Sequence, residues 1–239
     1  MRVPTFKLKS HENATPFACH LKPIPPVAGP DSSQPESRPS VFPWQEVKAY
    51  FKADGSMVQK NIVYFDLETQ RSAGDVGGWD KKDRMGMSVG VTYSTASGKY
   101  QIYQESEADA LIQELTSADL VVGFNHVGFD YAVLQAYSMW NIVEQVHSLD
   151  LLLDLEVRLG HRIKLDDIAT ASLGTGKTAD GLDAIRWWRE GKIMLIAEYC
   201  CFDVKVTKMV HEYGAKHGFV KYKDRFGQQS RVEVNWKTT

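Results

Sequence analysis

The sequence predicts an α/β protein: a mixed five-stranded sheet flanked by helices, behind a flexible Pro-rich N-terminal leader. Three observations carry that prediction. All nine prolines lie between Pro4 and Pro43, so the remaining chain lacks the residue that most reliably interrupts helices and strands. Short apolar runs bounded by turn residues recur between Asn61 and Leu152. Beyond Leu153 the apolar spacing turns helical. Three strands in succession, then alternating helices and strands, require helices packed on a mixed sheet.

Residues 1–43 form the expected leader. Between Pro23 and Ser40 it is rich in Pro and Ser and holds too few large apolar side chains to offset the entropy of ordering. Such a segment suits docking to a protein partner. Residues 44–239 form the expected domain, long enough for one packed core. Phe42–Phe51 is a helical or strand-like lead-in. Asn61–Leu67 is a buried strand ending in acid, Gly74–Arg84 a loop, and Gly86–Ser94 and Lys99–Gln104 two further strands. Glu105–Ala118 has helical spacing, with Ala108, Leu111, Ile112 and Leu115 on one face. Leu120–Phe124 is the fourth strand, Tyr131–Trp140 a helix and Val146–Leu152 the fifth strand. Helices are expected over Leu153–Leu159, Leu165–Leu173, Gly181–Glu190 and Ile193–His217. Phe219–Lys223 and Ser230–Trp236 then close a small terminal hairpin around Gly227.

The 239 residues carry 28 Lys+Arg against 30 Asp+Glu, a net charge of −2, with 43% hydrophobic and 24% charged residues. This is ordinary globular composition; it excludes a wholly disordered chain, a collagen or coiled-coil rod and a strongly basic nucleic-acid coat. No stretch approaches the ~20 apolar residues of a membrane span, so no membrane partner is expected. The opening Phe6–Ser10 segment lacks the apolar core of a signal peptide. Cys19, Cys200 and Cys201 make neither a disulfide framework nor a zinc clip, so a reducing, cytoplasmic setting is expected. The charge is uneven: between Val204 and Arg231, Lys205, Lys208, Lys216, Lys221, Lys223, Arg225 and Arg231 face only Glu212 and Asp224. A basic end beside an acidic centre is compatible with a metal-dependent site acting on a polyanion, and equally with a solvated helix face. Nothing in the sequence specifies an oligomer.

Three acidic elements carry chemistry. Asp66 and Glu68 stand two apart at a strand end, so strand alternation puts both on one face. Asp130 closes the segment Gly123–Asp130, where a strand hands over to a helix; helix capping explains it equally well. Tyr199 and Asp203 are four apart on a long helix and therefore share a face. Four carboxylates and a phenol form a hard oxygen set that suits Mg²⁺ or Mn²⁺ and not zinc. Two such ions roughly 3.5–4 Å apart activate water and stabilise the leaving oxygen in phosphodiester hydrolysis.

Asp66-Leu67-Glu68-Thr69, Asn125–Asp130 and Tyr199-x-x-x-Asp203 resemble the three ordered motifs of the DEDDy 3′–5′ exonucleases, which have a ribonuclease H-like fold. The resemblance is closest to the proofreading domain of family B DNA polymerases and to stand-alone bacterial proteins similar to it. It runs from Ile62 to Tyr213. It implies a catalytic set of Asp66, Glu68, Asp130, Tyr199 and Asp203 and two divalent cations. Asp66, Glu68 and Asp203 would hold the first ion. Asp66 would bridge to the second, completed by Asp130 through water, and Tyr199 would orient the attacking water. Asn125, Phe129 and the backbone around Leu67 and Thr69 are implied near the 3′-terminal nucleotides, and Lys177 at the substrate backbone. The implied substrate is the 3′ end of single-stranded DNA, with RNA as the alternative. No polymerase palm or fingers is expected, since the chain given ends at Thr239.

Two other readings stand beside this one. Ala171–Thr178 matches a relaxed phosphate-loop pattern, but the polar residues before it fit a helix that ends at Leu173 in a glycine-rich turn. A non-catalytic nucleic-acid-binding scaffold is the alternative from another class, although a scaffold has no need to crowd like charges. Trp187 and Trp188 suit base stacking or, more simply, core packing. His126, a single histidine beside the site, is expected to be structural.

Overall fold

The computed structural model describes residues 60–174, 181–224 and 226–237. The leader, the Phe42–Phe51 lead-in and Lys177 therefore lie outside the described residues. Strand β1 (Ile62–Thr69) is followed by a one-turn helix α1 (Ala73–Val76), β2 (Met87–Ser94) and β3 (Lys99–Gln104). Then come α2 (Ala108–Ser117), β4 (Leu120–Gly123), α3 (Asp130–Leu134), α4 (Ile142–Gln145) and β5 (Ser148–Asp150). Helices α5 (Leu151–Leu159), α6 (Leu165–Leu173), α7 (Gly181–Arg189) and α8 (Ile193–His217) precede the hairpin β6 (Phe219–Lys223) and β7 (Gln229–Glu233).

The main sheet has five strands in the order β3-β2-β1-β4-β5. β2 lies antiparallel to β1 and β3, whereas β4 is parallel to β1 and β5. This is the expected mixed five-stranded sheet with helices, the ribonuclease H-like fold. Parallel pairing brings the C-terminal ends of β1, β4 and β5 to one edge, where ligands bind in open α/β sheets. Asp66 and Glu68, Asn125, and Asp150 all occupy that edge.

The two faces of β1 divide the work. Phe65 and Leu67 enter a core with Leu111, Leu115, Val133 and Leu134 on one side. The alternate residues Tyr64, Asp66 and Glu68 turn to the other side, towards α8. There Tyr64 shares a 2.9 Å hydrogen bond with His211, and the His211 ring stacks on Trp236 at 6.2 Å. Gly214 sits against Trp236 so closely that a Cβ would run into the indole. The end of the β6–β7 ribbon is thereby seated on the far part of α8.

Some boundaries depart from the sequence expectation. The Gly74–Arg84 loop contains α1 and a short 3-10 turn at Lys82–Arg84. The helix expected over Tyr131–Trp140 breaks after Leu134, passes through a 3-10 turn and resumes as α4. Gln135 causes the break: its side chain donates to the Ser138 and Trp140 carbonyls and accepts the Ile142 N–H, at 2.9–3.2 Å. β5 stops at Asp150, which caps α5 by accepting the Leu152 and Leu153 N–H groups. That cap starts the helix two residues earlier than its apolar spacing suggests. α6 ends at Leu173 as expected, with Gly174 left-handed at φ 70°. Among the described residues, no helix is long and apolar enough to cross a membrane.

Candidate active site

β1 delivers Asp66 and Glu68, and the middle of α8 delivers Asp203. One carboxylate oxygen from each lies within 4.8 Å of the others, and all three side chains are half-buried. Positions 66 and 203 are 137 apart in sequence, so only the packing of α8 across β1 makes this trio. Cys200, one turn before Asp203, fills the seam: its thiol donates towards the Asp66 carbonyl at 3.3 Å and carboxylate Oδ2 at 3.4 Å.

Such a cluster is electrostatically costly without a counter-charge. Burial first, then the like charges of Asp130, Asp203 and Glu68, hold the Asp66 carboxyl well above the usual carboxylate range; the Cys200 hydrogen bond acts against them. A bound cation reverses the sign of those charge effects. The trio therefore fits a divalent metal in both donor chemistry and charge.

Asp130 stands outside the trio but is the foremost of the charges acting on Asp66. It is almost wholly buried, and its Oδ1 accepts the Leu67 N–H at 3.0 Å. Burial pushes its carboxyl up to about 7, while the Leu67 hydrogen bond pulls the other way. It opens α3, but its carboxylate reaches sideways to β1 between the two acids of the first motif. Tyr199 joins through a side-chain hydrogen bond with Asp203 and packs edge-on against Trp187, 6.2 Å away. Burial, then the Asp203, Glu68 and Asp66 charges, raise its phenol far above the ordinary value, so it keeps its proton at neutral pH.

A cleft of about 510 Å³ opens beside the trio, bordered by Asp66 and Asp203 with Asn125, Ile163, Lys164 and Phe202. Asn125 adopts a left-handed φ of 67°, uncommon for a residue with a side chain. Asp150 holds that loop in place. Its carboxylate accepts the Asn125 N–H at 2.8 Å and the Val127 N–H at 3.0 Å, besides capping α5. Arg162 donates to the Asn125 side chain at 2.6 Å and to Glu156 at 3.1 Å.

The remaining expected residues have definite places. Phe129 is half-buried on the core. The Leu67 N–H bonds Asp130, and the buried Thr69 donates its hydroxyl to the Arg71 carbonyl at 3.0 Å. His126 is buried beside Asp150 at 3.6 Å and edge-on to Tyr131, and burial lowers its pKa to about 4, a structural histidine. Lys208 pairs with Glu212 at 2.6 Å and lies over the Tyr93 ring. Trp187 and Trp188 are both half-buried. Asp150, Arg162 and Lys164 are neighbours of the site that the sequence reading did not single out. Asp150 carried a usable signal, an acid where strand gives way to helix, but the strand was expected to continue to Leu152.

The fold and this acidic edge define a ribonuclease H-like protein with a candidate metal site. A family model described as the RNase_H superfamily matches residues 63–213, and the chain belongs to that superfamily. The family B DNA polymerase from the hyperthermophilic archaeon Pyrobaculum calidifontis is similar in structure, with a TM-score of 0.50 at 15% sequence identity. That match covers 67% of this chain and 25% of the polymerase chain, and at such identity the likeness is one of fold. No protein of curated function matches this chain.

Proposed function

We propose that this protein is a divalent-metal-dependent 3′–5′ exonuclease that hydrolyses phosphodiester bonds at the 3′ end of single-stranded DNA and releases nucleoside monophosphates. The observation that carries the reading is the convergence of Asp66, Glu68 and Asp203 oxygens within 4.8 Å at the C-terminal edge of the sheet. The three motifs occur in the order found in family B proofreading domains, which favours DNA over RNA.

Asp66, Glu68 and Asp203 would hold one Mg²⁺ or Mn²⁺, and Asp66 with Asp130 the other. Such ions, when bound, supply charge stabilisation at the phosphate and lower the pKa of bound water. The protein side chains then have separable tasks. The Tyr199 hydroxyl donates a hydrogen bond to Asp203 and keeps its proton, which leaves its oxygen lone pairs to accept from, and so aim, an attacking water. Asn125 and Phe129 hold the terminal nucleotide. Among the described residues no histidine occupies the position of a general base, so the pH dependence of hydrolysis follows the water and not an imidazole near 6.5.

Incubation with DNA and matched RNA oligonucleotides labelled at either end, in Mg²⁺ or Mn²⁺, tests the reading. Mononucleotides released stepwise from the 3′ end of DNA, and lost in Asp66→Ala, are expected. Endonucleolytic fragments, 5′-end release, or equal activity of Asp66→Ala would refute it.

A further inference from the structure

Trp79 is 68% exposed, unusual for the largest apolar side chain. It lies on the loop that leaves β1 directly after Asp66 and Glu68. Its indole meets the Phe129 ring edge-on, with centroids 6.3 Å apart. Phe129 is the residue before Asp130, so the exposed indole adjoins the segment that carries a buried site carboxylate.

The loop around Trp79 is braced. Its neck is closed by hydrogen bonds from Gln70 N to the Gly86 carbonyl at 2.9 Å and from Arg71 N to the Met85 carbonyl at 3.1 Å. A capping box between Ser72 and Asp75 fixes α1, and Asp75 is tied to Arg189 of α7 at 2.8 Å. Gly77 and Gly78 then turn the chain with φ of 90° and 141°, which presents the next residue outwards. A large aromatic held out on a braced loop has low conformational entropy to lose on binding. Lys82 and Arg84 follow on the same loop, Arg84 exposed, and supply charge for a phosphate backbone.

We propose that Trp79 is a base-stacking residue that selects single-stranded over duplex substrate. Resting on the nuclease reading above, the occupant is a nucleobase of a single strand whose 3′ end lies at the acidic trio. Every base has a π-face, so the contact tolerates any sequence. A base inside a duplex has both faces covered by its neighbours and offers none to the indole.

Binding of fluorescein-labelled oligo(dT) and of a blunt duplex to the cleavage-deficient Asp66→Asn protein tests this separately from activity. Trp79→Ala is expected to weaken single-strand binding roughly 10- to 100-fold, with little change for the duplex. Trp79→Phe restores most of the loss. A single abasic residue moved along the strand should weaken the Trp79-containing protein at one position and leave Trp79→Ala indifferent there. Unchanged single-strand affinity in Trp79→Ala overturns the proposal. A loss shared equally by the duplex, or a several-degree fall in melting temperature, also overturns it, since the indole would then be structural. If wild type binds with this pattern yet releases no mononucleotides, the exonuclease reading falls and the stacking role stands.

Discussion

Asp150→Ala removes a carboxylate that accepts four backbone N–H groups at 2.8–3.3 Å, from Asn125, Val127, Leu152 and Leu153. Loss of the α5 cap costs about 1 kcal/mol. The Asn125 and Val127 donors are partly buried, so each contributes near the lower end of the penalty for an unpaired group, about 1 kcal/mol. The sum, roughly 3 kcal/mol, lowers the melting temperature of a domain this size by roughly 6–12 °C. Asp150→Asn retains an oxygen for the Asn125 and cap contacts but turns an amide N–H₂ towards the Val127 N–H or its neighbours, so about half the loss is expected. Because Asn125 and Asp130 share the freed segment, kcat/KM should fall in both variants at a temperature where both are folded. Thermal unfolding by circular dichroism, with oligonucleotide hydrolysis at 25 °C, makes the measurement. Asp150→Ala melting within about 2 °C of wild type would show that this carboxylate does not hold the loop.

Divalent binding should be visible without turnover: Mn²⁺ at 100 times its dissociation constant stabilises the fold by about 2.7 kcal/mol. Asp66→Asn and Asp203→Asn should lose that shift, and a shift retained in both would place the metal elsewhere. Tyr199→Phe keeps the ring against Trp187 but deletes the hydroxyl bonded to Asp203. A hydrogen bond to a charged group is worth roughly 1.5–3 kcal/mol, so a kcat fall of roughly 10- to 150-fold with nearly unchanged KM is expected in steady-state assays. Buried His211 has its pKa lowered to about 4 by burial. Its folded pKa lies below the unfolded value near 6.5, so its neutral form stabilises the fold above pH 6.5 and that stability drains away between 6.5 and 4. Going from pH 7 to 5 costs about 2 kcal/mol through this group. The raised carboxyls of Asp66 and Asp130 act with the opposite sign, so urea titrations should compare wild type with the non-titrating His211→Asn. Identical pH slopes for the two would contradict the assignment.

What was legible in the sequence is what local periodicity encodes. β1 to β4, α6 and α8 are long or strongly patterned, and their apolar spacing places them to within a few residues. Strand and helix period paired Asp66 with Glu68 and Tyr199 with Asp203, but it was the resemblance of the ordered motifs to an exonuclease family that joined the pairs into one acidic site. The early end of α3 was not legible, because the Gln135 side chain takes over backbone bonds that a continuous helix would use. Asp150 was missed because its four donors come from two separate segments, an arrangement no local window contains. Trp79 was passed over because an indole in a polar loop has no periodicity; only its ring contact with Phe129 gives it meaning.

The seating of α8 across β1 also orders events in time. Synthesis from the N-terminus completes β1 to β5 with Asp66, Glu68 and Asp130 before Tyr199 and Asp203 exist. The far part of α8 gains its last partner when Trp236 arrives to lie against Gly214 and His211. A ribosome-bound chain that stops short of α8 is thus a sheet whose acid cluster lacks Asp203. The acid cluster is completed only after the whole of the main sheet has been made.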